Sequence, residues 1–449
     1  LLSGCVSVAH AQVLSPRQAA DETAKFLTDL IRLDTSDPPG NEGRVANYIA
    51  GVFQREGIPY ELLEIKPGRA SVVARIKGNG SKQPVMLMAH EDVVPVDRAH
   101  WTVDPFAAEI KGDVLYGRGA SDDKSPLAAH IEVMLQIHRS HQTLSRDVIF
   151  LAEAGEEGDS EAGMHAIVDR YWDKIACEFA INEGGAAEVL NGKVAYFGVA
   201  TGEKVPRGVR LLAKGSSGHG SVPVLDNPVT HLAQAVARLG TWETPMHLND
   251  TTREFFSKLA TISPPGQAAL FRSLEDPRTQ LALHAKMPQF YSMLHTSVVP
   301  TVIKAGFKVN VIPPDAEAEL DIRALPGEDM TAFYAQMNKI VDDPSVTIIP
   351  ANFAGMPPSP ASSIHTPMVD ALAAAQKKFL PGAITIPVMT TGATDSSYLR
   401  VKGVNAYGVR VPRTFEENEG VHGNDERIEL HYVAIYQQIV QDAVEQVSR

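Results

Sequence analysis

"PVMLMAH" (84–90), "SPLAAHIEVMLQIH" (125–138) and "DVIFLAEA" (147–154) decide the fold. The outer two are short, almost unbroken apolar runs, the mark of strands buried on both faces. The middle one repeats its apolar residues at helical spacing. A strand, a helix and a second strand in that order build a parallel pair joined by a crossover. Outward from there, "SVVARIKG" (71–78), "FAINEGG" (179–185) and "KVAYFGVA" (193–200) read as further strands. Ser15 to Leu33, Val45 to Phe53 and "AGMHAIVDRYWDKI" (162–175) read as helices, with "DTSDPPGNEG" (34–43) as a break. The expected class is α/β, a mostly parallel sheet with helices on both faces.

From Arg207 the pattern changes. "GVRLLAKGSS" (208–217), "PVTHLAQAVARLG" (228–240), "TVIKAGFKVNVIP" (301–313), "AEAELDIRALP" (316–326), "MTAFYAQMNKIVD" (330–342) and "SVTIIP" (345–350) spell β-α-β-β-α-β. This predicts a smaller α+β domain over 207–351, carrying an insertion at about 241–298. A helix from Thr366 to Phe379 returns the chain to the first domain, which then comprises 15–206 and 352–449.

The chain has 449 residues, 44% hydrophobic and 21% charged, a globular composition long enough for two or three domains. Its net charge of −13, without any Lys/Arg cluster interleaved with aromatics, argues against a nucleic-acid partner. Two cysteines, Cys5 and Cys177, are too few for a disulfide framework. "LLSGCVSVAHAQ" (1–12) reads as the tail of an export signal occupying residues 1–14, so a periplasmic or secreted protein is expected. Two endings compete: an A-x-A site at Ala9-His10-Ala11, or a lipoprotein site that would anchor the chain through Cys5. No later run approaches the ~20 apolar residues of a membrane span.

The chemistry sits where buried strands end, because polar side chains there line the rim at which ligands bind. The strand 84–90 ends in His90-Glu91-Asp92; residues i and i+2 share a face, so Asp92 can orient the His90 ring. "LYGRGASDDKSPLAAH" (115–130) sets Asp122 and Asp123 in a Gly-rich loop before a helix, as helix caps or as bridging ligands. "DVIFLAEAGEEGDS" (147–160) ends in Glu156-Glu157, a pair in which one carboxylate can ligate a metal while the other stays free to accept a proton. "FAINEGG" ends in Glu183, and "GVHGNDERIEL" (420–430) carries His422. Each string alone suits a solvated loop. Together they supply two histidines, three carboxylates and a spare Glu, which is what two divalent ions sharing one carboxylate need. Mixed His/carboxylate shells suit Zn²⁺, then Co²⁺ or Mn²⁺.

With these five strings in order, the chain resembles the co-catalytic zinc metallopeptidase family of aminoacylase, carboxypeptidase G, succinyl-diaminopimelate desuccinylase and carboxypeptidase S. The resemblance implies two zinc ions, one held by His90 and Glu183, the other by Glu157 and His422, with Asp122 bridging. It implies Asp92 as the orienting residue, Glu156 as general base and a cis Asp122-Asp123 peptide. "SSGHGSVP" (216–223) resembles the family's lid motif, which makes His219 a donor to the reacting carbonyl. "NVIP" and "DIR" implicate Asn310 and Arg323 in holding a substrate carboxylate, and "GATDSSYLR" (392–400) implicates Gly392, Thr394 and Asp395. Some relatives carry Arg where this chain has Ser397. The insertion and "IKAGFKVNVIPP" (303–314) look most like the carboxypeptidase S and N-fatty-acyl-amino-acid hydrolase branch.

The function these likenesses imply is hydrolysis of the amide bond of an N-acyl amino acid or short peptide with a free carboxylate. Glu156 takes a proton from an acidified water and passes it to the leaving amine. A dipeptidase or carboxypeptidase of the same mechanism is the alternative, followed by a non-catalytic metal or peptide binder. A serine hydrolase built on Ser221 lacks the G-x-S-x-G elbow. The insertion can cover the surface through which relatives pair, so a monomer is expected, with a homodimer as alternative.

Overall fold

The computed structural model describes residues 12–351 and 356–449. Of the export segment expected over 1–14, residues 1–11, Cys5 included, lie outside the described residues. The chain divides into two compact units, one running through Thr201 and resuming over Ser362–Val388 and Thr394–Arg449, the other comprising Gly202–Ala361 and Met389–Ala393.

The first unit is built on a nine-stranded sheet. Its strands run Tyr60–Lys66, Arg69–Ile76, Val148–Glu153, Val85–His90, Phe179–Asn182, Asn405–Gly408, Lys193–Glu203 and Ile384–Thr390, with Ala186–Leu190 paired to Lys193–Glu203. Val85–His90 lies parallel to both Val148–Glu153 and Phe179–Asn182, and Asn405–Gly408 is parallel to the latter. The flanking pairs are antiparallel. Alternation along the central strands serves two cores. Val85, Leu87, Ala89, Val148, Phe150 and Ala152 face helices including Pro16–Ile31, Gly43–Glu56, Lys124–Ser140 and Leu430–Ser448. Met86, Met88, Ile149 and Leu151 face Met164–Arg170 and Ser396–Val401. Both faces are covered, which is why these strands read as unbroken apolar runs.

Helix ends follow local chemistry. Ser15 and Gln18 form a capping box with Pro16 at the first helical position, and Thr366 caps Pro367–Phe379. The helix expected over 162–175 is two, Met164–Arg170 and Trp172–Ile175, because Tyr171 leaves helical geometry at φ −131°. Leu27, fully buried in the first helix, tests the larger core. Leu27→Ala should cost about 2–5 kcal/mol in denaturant unfolding, and a loss below about 1 kcal/mol would contradict this packing.

The second unit holds an antiparallel sheet ordered Val205–Pro206, Asp315–Ala324, Val209–Lys214, Val346–Pro350, with Ser297–Ala305 also paired to Asp315–Ala324. Even-numbered residues from Ala316 to Ile322 pack against the helices Pro228–Gly240 and Met330–Val341. The strand expected over 301–313 is interrupted: Gly306, at φ +65°, ends Ser297–Ala305, and Val311–Ile312 pairs instead with Gly218–His219. Four helices, Asp250–Ile262, Pro265–Arg272, Pro277–Lys286 and Pro288–Ser292, fill the stretch between Gly240 and Ser297. Among the described residues no helix is long and apolar enough to cross a membrane.

Candidate metal centre

Parallel strands end at one edge of a sheet, and this edge gathers the acids and histidines. His90 closes Val85–His90, Glu183 follows Phe179–Asn182, and Glu156 and Glu157 follow Val148–Glu153. Asp122 arrives on the loop before Lys124–Ser140, through a cis Asp122–Asp123 peptide, and His422 on the loop before Arg427–Glu429.

Five of these side chains form two overlapping trios. The donor atoms of His90, Asp122 and Glu183 lie within 4.8 Å of one another, as do those of Asp122, Glu157 and His422. Asp122 is common to both and divides its oxygens between them. Its Oδ1 is 3.1 Å from His90 Nε2, and its Oδ2 is 3.3 Å from His422 Nε2. His422 Nε2 is also 2.9 Å from Glu157 Oε1. Glu156 belongs to neither trio.

Asp92 is fully buried and sits behind the centre. His90 Nδ1 lies 2.9 Å from the Asp92 carbonyl oxygen and 3.6 Å from its carboxylate. The carboxylate accepts the Glu156 N–H at 3.2 Å and the Glu157 N–H at 2.9 Å. Asp92 therefore fixes the His90 ring through main chain and the Glu156-Glu157 loop through side chain. Gly185 lets the Glu183 loop pack, since a Cβ there would lie 2.3 Å from the Gly198 carbonyl oxygen.

The donor set fits divalent cations. Burial, then the charge of Glu183, pushes the Glu156 carboxyl well above the usual carboxylate range. Burial, then Asp122, does the same to Glu183. Hydrogen bonds to Asp122 and Glu157 raise His422 to about 10. Without cations, Glu156 and Glu183 relieve the crowding of charge by holding protons more readily. At Asp122 burial is outweighed by hydrogen bonds to His422 and His90, which keep its carboxyl below the usual carboxylate range. A third group of carboxylates, Asp37, Glu42 and Asp92, differs because a cation of the chain already serves it. Arg69 Nη2 lies 2.8 Å from Asp37 Oδ2 and 2.5 Å from Glu42 Oε1. Among the described residues, the ion-pair partners of Asp122 and Glu157 are histidines.

The remaining residues singled out in the sequence lie elsewhere. Thr394 and Asp395 are buried in the first unit, where Asp395 adjoins Glu153 and acts electrostatically on Glu156. Gly392, His219, Asn310 and Arg323 belong to the second unit. There His219 is exposed, its Nδ1 2.7 Å from Ser221 Oγ, and the neighbouring Gly220 donates to the Asn310 carbonyl. Arg323 stands apart on Asp315–Ala324, its Nε 2.9 Å from Asp321. Sequence reading passed over Arg118 and Glu426, a buried ion pair inside the same two loop motifs as Asp122 and His422. Their signal was two opposite charges in strings already chosen, Arg118 between Gly117 and Gly119 and Glu426 four residues after His422.

This edge-of-sheet centre, on this fold, defines a metal-dependent hydrolase. The chain belongs to peptidase family M20/M25/M40, whose model matches residues 86–446. It is 29% identical over 364 residues to the human N-fatty-acyl-amino acid synthase/hydrolase PM20D1, covering 78% of this chain and 71% of that one. Its fold is similar to that of an M20 family metallo-carboxypeptidase from Sulfolobus solfataricus, with a TM-score of 0.71, 21% identity, and 95% and 99% of the two chains covered. A dinuclear metal binding peptidase of the same family from Bacillus subtilis superposes with a TM-score of 0.64 at 15% identity, over 96% and 99%.

Proposed function

We propose that this chain hydrolyses the amide bond of N-acyl amino acids with a free carboxylate, using two Zn²⁺ ions for which Co²⁺ or Mn²⁺ can substitute. The observation that carries the reading is the pair of donor trios sharing Asp122. His90, Asp122 and Glu183 would hold one ion, and Asp122, Glu157 and His422 the other. Bound there, the ions supply Lewis acidity for the carbonyl and lower the pKa of water.

The chain's own groups do the rest. Glu156, held by its N–H to Asp92 and left out of both trios, takes the proton from water and delivers it to the amine nitrogen as the C–N bond breaks. Asp92 keeps the His90 ring and the Glu156 loop in register. His219 as donor to the carbonyl oxygen, Asn310 and Arg323 on the substrate carboxylate, and Gly392, Thr394 and Asp395 in the substrate loop are assigned through the family resemblance. The preference for an acyl amide follows the likeness to the human N-fatty-acyl-amino acid enzyme. Peptides with a free carboxylate are the second reading, supported by the family as a whole.

Amine release from a panel of N-acyl amino acids and unblocked dipeptides separates the two. The N-acyl amino acids should be cleaved with kcat/KM at least about tenfold higher, a difference of about 1.4 kcal/mol. Preference for the dipeptides would replace the acyl reading with the peptidase one.

A further inference from the structure

Asp122 and His422 are 300 residues apart in sequence, yet both must be held to a fraction of an ångström for one carboxylate to serve two trios. A small three-stranded sheet joins their loops. Arg427–Glu429 pairs antiparallel with Val114–Tyr116, which pairs with Glu109–Lys111. Between the ends of that sheet and the metal centre lies Glu426, fully buried.

Every acceptor direction of the Glu426 carboxylate is used. Oε2 accepts from Arg118 Nη1 at 2.7 Å and from the Gly119 N–H at 2.9 Å. Oε1 accepts from the Ser121 N–H at 2.7 Å and from the Asp122 N–H at 3.0 Å. The last bond grips the main chain of the shared ligand itself. Arg118, also buried, uses the other arm of its guanidinium to donate to the Gly423 carbonyl at 2.8 Å, one residue past His422. Its guanidinium carbon lies 5.3 Å from the centre of the Trp101 ring. One carboxylate and one fork thus tie the Asp122 loop to the His422 loop. His422, whose side chain is 51% exposed, is delivered by a residue four positions on that is not exposed at all.

We propose that Glu426, with Arg118, is a positioning residue for the metal centre, setting the main chain of Asp122 and the approach of His422 so that the second trio closes. The proposal rests on the two-metal reading above. Ligand-supporting partners of this kind typically change metal affinity 10–100-fold when altered. In Glu426→Gln the carboxamide turns an N–H₂ towards N–H donors, so one side of the cradle must open.

The test is titration of chelated, metal-free protein with Co²⁺, following heat and the visible absorption of the ion, with folding checked by circular dichroism. Wild type should bind two Co²⁺ per chain. Glu426→Gln should bind the weaker Co²⁺ 10–100-fold less tightly and change its absorption spectrum. Leu27→Ala, destabilised far along the chain from any ligand, should keep both affinities. Arg118→Lys keeps a cation beside Glu426 but cannot reach Gly423 as well, and should weaken the same ion. Wild-type affinity and spectrum in Glu426→Gln, or in Arg118→Lys if the first does not fold, would overturn the proposal. Failure of both variants to fold would also overturn it, assigning the pair to stability. Fewer than two Co²⁺ on wild type would instead remove the two-metal reading on which the proposal stands.

Discussion

Glu156→Gln should retain two metal ions per chain and lose about 10²–10⁴-fold in kcat, the span typical of a removed general base. The substitution keeps the shape and removes only the proton acceptor. Its backbone N–H still has the Asp92 carboxylate to donate to, so the loop that carries Glu157 stays anchored. Because Glu156 lies outside both donor trios, metal content should be untouched. The expected pattern is a fall in kcat with little change in KM, the pattern of a group used only in the transition state. Near-normal turnover with both metals bound would show that the proton goes elsewhere.

Asp122→Ala should be the most damaging substitution of the metal centre. Every other donor serves one trio, whereas Asp122 offers Oδ1 towards His90 and Oδ2 towards His422. Removing it leaves each trio one donor short and also removes the negative charge that offsets two cations. The expected outcome is loss of both ions on dialysis and of all measurable amide hydrolysis, with the fold intact. His422→Ala, by contrast, should release one ion. Retention of two metals by Asp122→Ala, measured by elemental analysis after dialysis, would show that the carboxylate is not shared.

The central strands and the centre were legible for the same reason. A parallel sheet buried on both faces must be written in apolar residues, so acids and histidines at the ends of "PVMLMAH", "DVIFLAEA" and "FAIN" stand out against them. The break at Tyr171 was not legible, because its apolar neighbours continue the helical spacing across it. The turn at Gly306 was masked by the β-branched residues on either side, which read as one strand although a left-handed glycine divides them. Glu426 escaped because a buried charge and a solvated one look alike in sequence. Only its four donors, drawn from residues 304 to 308 positions away, mark it as internal. The detail of Asp92 escaped similarly: spacing along an extended strand points its carboxylate at His90, whereas the carboxylate also reaches a loop more than sixty residues on.

The most direct measurement of the central claim is metal-dependent hydrolysis counted against metal bound. Chelated protein is titrated with Zn²⁺ while amine release from an N-acyl amino acid and bound metal are followed in the same samples. Activity should be absent at zero metal, rise with occupancy and stop rising at two ions per chain. Full activity in metal-free protein, or a plateau at one ion, would contradict a hydrolase built on two trios that share Asp122.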